Sequence, residues 1–291
     1  GDKHAMKNEL KKQTNDLIDL GHKVTVVDIQ WFGNYLKPKK NLTILRLDIR
    51  DYQKIPFKNV DTVVHLASIA NDPGVELNPK LSWEINVLAT QKLIESATKN
   101  KVKQFIFASS ASVYGVKEEK EVTEDLSLVP ISTYNKTKMI SERIIKSYEN
   151  EIIYHCIRPA TVCGYSPRMR LDVTVNMFAF QALKFKSMSV FGGNQIRPNI
   201  HIQDLVNVYK HFILNSKLPG GFYNAGFENL QIIEIAQIVA KIIPSKISAI
   251  PLTEVALEMI VANFGVMCMP KWALKSFKLP EELIYKKIGK P

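Results

Sequence analysis

Gln104-Phe105-Ile106-Phe107-Ala108-Ser109-Ser110-Ala111-Ser112-Val113-Tyr114-Gly115 passes from an unbroken apolar run into a cluster of hydroxyls closed by a glycine. A short continuous apolar run suits a strand covered on both faces, as in a parallel sheet. Lys23 to Val27, Thr43 to Leu47, Thr62 to Leu66 and Tyr154 to Arg158 read the same way. Amphipathic helical stretches, Leu81 to Lys99 and Ser132 to Glu149, lie among them. Regular alternation of strand and helix implies right-handed crossovers and an α/β, doubly wound parallel sheet. Such sheets bind ligands beyond the carboxyl ends of their strands, where the serine cluster would stand.

The second half is less regular. Val173 to Lys184, Gln203 to Asn215 and Leu230 to Ile243 read as helices, and Gly221 to Asn224 as a short strand. No low-complexity linker or internal repeat divides the chain, and a smaller second lobe is expected from about Ser166.

Composition narrows the function classes. The chain has 291 residues, 46% of them hydrophobic and 23% charged, which is ordinary for a globular protein. No apolar run is long enough for a membrane span, and Gly1-Asp2-Lys3-His4 lacks the apolar core of a secretion signal. The 3 cysteines, Cys156, Cys163 and Cys268, form no close pair, which suits a reducing cytoplasm. No Cys/His spacing resembles a metal site. The net charge of +11 comes from lysines spread along the whole chain, so a nucleic-acid footprint is not indicated. A positive field does attract an anionic small substrate, such as a nucleotide diphosphate.

Tyr134-Asn135-Lys136-Thr137-Lys138 places a tyrosine and a lysine on one helix face. An ammonium beside a phenol favours the phenolate and brings it toward neutrality, as a general acid or base requires. The hydroxyls of Ser109, Ser110 and Ser112 follow the Gln104 to Ala108 strand at the carboxyl edge of the sheet, so that one of them is available to the substrate oxygen that Tyr134 deprotonates; a serine-rich turn is the competing reading. Asp28 ends the Val26-Val27-Asp28 strand, where a carboxylate accepts both ribose hydroxyls of an adenosine and repels a 2′-phosphate, favouring NAD over NADP. A turn aspartate is the competing reading of Asp28. Asp48 is open to two readings, a group near the adenine or a helix N-cap.

In this order, these segments resemble the extended short-chain dehydrogenases, particularly the NAD-dependent epimerase/dehydratase family of nucleotide sugars. Further matching stretches are Gly21 to Asp28, Val64 to Ser68, Trp83 to Thr90, Arg158 to Gly164, Arg197 to Asp204 and Tyr223 to Gly226. The resemblance implies a Rossmann-type domain over residues 1–165 and a mainly substrate-binding lobe over 166–291, with 197–226 returning to the first domain. It implies catalytic roles for Ser110, Tyr134 and Lys138, and adenosine contacts for Asp28, Asp48 and Ile49. Leu66, Ala67 and Ser68 would line the middle of NAD, with Asn86 behind the site. Ser110, Ser112, Asn176 and Arg197 would meet a nucleotide-diphosphate sugar, the guanidinium gripping two phosphate oxygens at once. A cytoplasmic homodimer is implied as well.

In the 4,6-dehydratases of this family an Asp-Glu pair follows the hydroxyl residue; here Ala111 and Ser112 stand there. The pattern is therefore that of an epimerase acting at C4 through a transient ketone. A 4-keto nucleotide-sugar reductase uses the same residues and is the alternative, and a non-catalytic relative is a third reading. The third is motivated by a departure: the family's glycine turn should fall near His4 to Leu10, yet no glycine lies between Gly1 and Gly21. An absent or altered N-terminal segment is the expected explanation. Leu252 to Pro291 also departs from the family's usual ending, and leaves the nucleotide base unread.

Overall fold

The computed structural model describes residues 14–70, 72–119, 121–166 and 169–250. The stretch from His4 to Leu10, where the glycine turn is expected, and Leu252 to Pro291 lie outside these residues. Among the described residues the strands are β1 (Val24–Val27), β2 (Leu42–Leu45), β3 (Thr62–His65), β4 (Gln104–Ala108), β5 (Ile153–Pro159), β6 (Thr161–Cys163), β7 (Ser187–Phe191), β8 (Ile196–His201), β9 (Gly221–Ala225), β10 (Glu228–Gln231) and β11 (Lys246–Ile250). The helices are α1 over 14–19, then α2 (Asp72–Leu77), α3 (Pro79–Trp83), α4 (Ala89–Lys99), α5 (Thr133–Lys146), α6 (Thr174–Phe185), α7 (Ile202–Leu214) and α8 (Ile232–Ile242).

The α/β class read from the apolar runs is the observed one. β3, β4, β5 and β9 form a parallel sheet in the order β3-β4-β5-β9. β1 and β2 pair in parallel as a separate ribbon, with Val24 opposite Leu42. The five first-half strands therefore divide between two ladders.

All five residues of β4 are buried, which is why its sequence shows no polar alternation. Its side chains still alternate between two cores. Phe105 and Phe107 pack with Ile94 of α4 and Ile145 of α5, while Ile106 and Ala108 pack with Leu205, Tyr209 and Phe212 of α7. Each fully buried side chain of this size contributes about 1.5–3 kcal/mol. In α4 the buried positions Ala89, Thr90, Leu93, Ile94 and Ala97 recur at helical spacing. Between α3 and α4 the chain widens into a π-helical turn, Glu84–Leu88.

The chain divides into two compact units. One runs to Met177 and takes up again at Arg197–Leu230; the other comprises Phe178–Ile196 and the chain from Gln231. In the second unit β7 pairs in parallel with β11, and α8 opens with the Glu234 carboxylate accepting the Gln231 backbone N–H at 2.7 Å.

Inside the first unit, a buried ion pair joins several elements. Arg158 on β5 donates from Nε to Glu142 Oε1 at 2.9 Å and from Nη2 to Oε2 at 2.8 Å, a two-pronged contact with α5. The two side chains are 2% and 1% exposed. Arg158 Nη1 also donates to the Tyr114 hydroxyl at 2.7 Å, and Tyr114 in turn donates to Asn224 Oδ1 on β9 at 2.8 Å. Burial works against the Arg158 charge, but the Glu142 carboxylate outweighs it and raises the guanidinium pKa. Gly115, next in the chain, has φ +76, and a Cβ there would stand 2.2 Å from the Val129 carbonyl oxygen. Only glycine closes the serine turn in this way.

Glu142→Ala leaves the guanidinium buried without its partner and should lower the unfolding free energy by about 3–5 kcal/mol in urea denaturation. The double replacement Glu142→Leu with Arg158→Met should recover most of that loss, because it removes both charges together.

Candidate active site

α5 starts where the sequence supplies a cap: the Ser132 side chain accepts the Asn135 backbone N–H at 3.2 Å. Tyr134 and Lys138 follow on the buried side, 8% and 2% exposed. The Lys138 ammonium donates to the Ala108 carbonyl at 2.7 Å and lies 4.9 Å from the Phe107 ring centroid and 5.8 Å from that of Tyr134. It is thereby anchored on the last residue of β4, at the carboxyl edge of the sheet.

The serine turn begins one residue further on. Ser110 caps a short 3₁₀ turn, Ala111–Tyr114, by accepting the Ser112 backbone N–H at 3.2 Å. The Ser110 and Ser112 hydroxyls are 2.7 Å apart, and Ser112 donates to Asn135 Oδ1 at 2.6 Å. This last bond ties the turn to the first turn of α5, one residue after Tyr134. Ser109 Oγ is buried and has no partner among the described residues. A buried hydroxyl left unmatched costs free energy until a ligand satisfies it, so its place at this edge fits a bound group.

Asn86 organises the floor. Its Oδ1 accepts the Ile69 N–H at 2.7 Å, while its Nδ2 donates to the Ile69 carbonyl at 2.8 Å and to Thr137 Oγ1 at 3.1 Å. One side chain thus fixes the loop that follows Leu66, Ala67 and Ser68 and holds it against α5. Asn86 lies within the π-helical turn, and its carbonyl accepts from the hydroxyls of Thr90 and Ser141, both at 2.7 Å. His65 Nε2 sits 2.8 Å from Thr90 Oγ1. The single Thr90 proton is given to Asn86, so His65 is the donor and its proton is on Nε2. Burial, with Lys138 nearby, lowers the His65 pKa to about 3 and keeps the ring neutral.

The remaining candidates are distributed around this centre. Asp28 follows β1, half-buried, and one carboxylate oxygen accepts the Gln30 backbone N–H in an Asx turn. Asp48 receives Arg50 Nε and Nη2, the latter at 2.8 Å, and the guanidinium bond holds its pKa below the ordinary carboxylate value. Its neighbour Ile49 is in the core. Asn176 is 7% exposed and bridges backbone groups: Oδ1 accepts Gly164 N–H at 3.1 Å and Nδ2 donates to the Arg170 carbonyl at 3.0 Å. With Gly164, Tyr165 and Arg170 it lines a small hollow. Arg197 is exposed on β8.

Sequence reasoning assigned no role to Asn135, His65 or Glu142, and named Ser109 only as one hydroxyl of the serine cluster. A helical spacing of four from Lys138 marks Glu142, but its partner Arg158 is a tertiary contact. Among the described residues no cluster of His, Cys, Asp or Glu suits a metal, and no helix is long and apolar enough to cross a membrane.

A buried neutral histidine has a defined signature. The unfolded chain binds a proton at His65 below about pH 6.5, and the folded chain does not until about pH 3. Stability from this group is therefore complete above pH 6.5 and falls as the pH drops through that window. Denaturation midpoints should decline from neutral pH toward pH 4, with a shallower decline in His65→Gln.

The NAD dependent epimerase/dehydratase family matches residues 12–226. An uncharacterized UDP-glucose epimerase of Bacillus subtilis is 29% identical over 71% of this chain and 66% of its own length. A putative UDP-glucose 4-epimerase of Methanocaldococcus jannaschii is 32% identical over 65% of each. The chain thus spans just under two thirds of the length of these two relatives. Among solved structures, the UDP-N-acetylglucosamine 4-epimerase from Methanobrevibacter ruminantium, in complex with UDP-N-acetylmuramic acid, superposes with a TM-score of 0.72 at 25% identity, over 85% of this chain and 82% of that one. The Thermus thermophilus UDP-glucose 4-epimerase complex with NAD gives a TM-score of 0.70 at 22% identity, covering 84% and 83%. The serine turn, the tyrosine–lysine helix and the parallel sheet thus occur in a chain that belongs to the NAD-dependent epimerase/dehydratase family.

Proposed function

We propose that this protein is an NAD-dependent nucleotide-sugar epimerase acting at C4, with a UDP-sugar as substrate. The observation that carries the reading is the joining of the Ser110 turn to the Tyr134 helix through Ser112 and Asn135, with Lys138 anchored at Ala108. No acid stands at Ala111 or Ser112 to drive elimination of water. The UDP-sugar 4-epimerases among the relatives support the substrate class.

The residues fit the cofactor. Asp28 would offer its carboxylate to the adenosine ribose, Leu66 to Ser68 would line the middle, and Lys138 and Ser109, whose buried hydroxyl has no partner among the described residues, would hold the nicotinamide end. NAD bound there supplies a hydride acceptor that later returns the hydride. Tyr134, as phenolate, takes the proton of the sugar hydroxyl and gives it back after the ketone has turned over. Lys138 holds the phenolate form by its charge. Ser110 positions the sugar oxygen, and Arg197 is the proposed partner of the diphosphate. Asp48 and Asn176 are proposed for the adenine and the substrate phosphate, each beside the contacts it already makes. A cytoplasmic homodimer completes the proposal, on the strength of the family likeness.

The protein should carry NAD by mass spectrometry and should interconvert UDP-glucose and UDP-galactose, or their N-acetyl counterparts, without net consumption of NADH. Tyr134→Phe should lower kcat by roughly 10²–10⁴-fold, and Lys138→Met should also slow the reaction. Stoichiometric oxidation of added NAD(P)H would identify a keto-sugar reductase instead. NAD-loaded protein inactive on UDP- and GDP-sugars would overturn the enzymatic assignment.

A further inference from the structure

We propose that the second unit carries a docking tip for an anionic lipid surface, formed where α6 and α8 end and β7 and β11 begin. The described residues of this unit, 178–196 and 231–250, include the lysines Lys184, Lys186, Lys241 and Lys246 and a single acid, Glu234. All of these lysines lie at the same end. Lys184 and Lys241 are in the last turns of α6 and α8. Lys186 alone separates α6 from β7, and Lys246 opens β11. The two stand side by side, because the Lys246 backbone N–H donates to the Lys186 carbonyl at 2.9 Å. Glu234 is in the first turn of α8, at the opposite end of that helix.

Apolar side chains share this end. Leu183 and Phe185 are 61% and 59% exposed, and Ile242 is 76% exposed. Leu183-Lys184-Phe185-Lys186 thus alternates apolar and basic side chains with every one of them in solvent. The Lys184 ammonium lies 5.3 Å and 5.2 Å from the ring centroids of Phe180 and Phe185. Lys186 has φ 54, a left-handed conformation that glycine adopts at less cost, yet a cation stands there. The attraction of a helix C-terminus for cations accounts for Lys184 and Lys241. It accounts neither for Lys186 and Lys246 nor for the exposed apolar residues beside them. An acidic peptide would need walls to pack against, whereas these side chains stand clear of the surface. A bilayer rich in anionic lipid satisfies both halves of the patch: the ammonium groups meet headgroup phosphates while Leu183, Phe185 and Ile242 enter the acyl boundary. Docking of this kind is independent of the reaction assigned to the first unit.

The intact chain should co-sediment with vesicles of phosphatidylcholine containing phosphatidylglycerol, less so at high salt, and not with vesicles of phosphatidylcholine alone. Each tip lysine changed to glutamine should weaken the partition roughly fivefold. Lys40→Gln, Lys58→Gln, Lys101→Gln and Lys217→Gln together remove the same charge from exposed positions of the first unit and should have a much smaller effect. Phe185→Ser with Ile242→Ser leaves the charge intact and should weaken binding roughly tenfold. Phe185→Trp should show blue-shifted emission on the anionic vesicles, a readout local to the tip. Equal losses from the two lysine sets would mean a diffuse charge effect and would overturn the proposal. Wild-type protein that does not bind, or a serine variant that binds as well as wild type, overturns it too. A serine variant that changes oligomeric state or loses folded stability in vesicle-free solution assigns the face to a second copy or to the chain's own packing, against the proposal.

Discussion

The paired contact between Arg158 and Glu142 is the constraint on which the site's geometry depends. Two opposite charges, almost without exposure, are tolerable only because each covers the other's hydrogen-bonding groups. That requirement fixes α5 against β5 at the turn that follows Lys138. Through Tyr114 the same guanidinium reaches the end of the serine turn, and through Asn224 it reaches β9. The groups that bear on the proposed chemistry come from a helix, a turn and a loop, and none is rigid on its own account. The helix and the turn share a frame because both are tied to this buried charge.

A second polar centre acts at the other side of α5. Asn86 matches both backbone groups of Ile69 and reaches Thr137, so the loop after β3 cannot drift from the helix. Beneath it, His65 is neutral and donates to Thr90, and Lys138 lies over Phe107. The lysine is thus the cation in a pocket whose histidine carries no charge at physiological pH. In a region with little water, such a charge acts strongly on a nearby phenol.

Legibility in the sequence followed the range of the interactions. β4 and β5 were readable because strands buried on both faces spell out their burial as apolar runs. Ser110, Ser112, Tyr134 and Lys138 were nameable because a strand end and a helix face are local patterns. Asn135 was invisible as a participant, since its partner Ser112 lies 23 residues away, and the Arg158–Glu142 pair was hidden for the same reason. The later strands escaped for another cause. β6 and β10 are short and at most half-buried, so neither carries an apolar signature. β7 does alternate, with Met188 and Val190 buried, but the signal is only five residues long.

The π-helical turn that presents Asn86 has a consequence for how this segment tolerates change in length. A wide turn accommodates one more residue than an α-turn does. Deleting any one position between Glu84 and Leu88 would let the helix close into regular register, a locally favourable outcome. It would also swing Asn86 about 100° around the axis relative to Leu93 and Ile94. Natural variation and protein engineering alike should find this stretch permissive to substitution on its outer side and intolerant of insertion or loss.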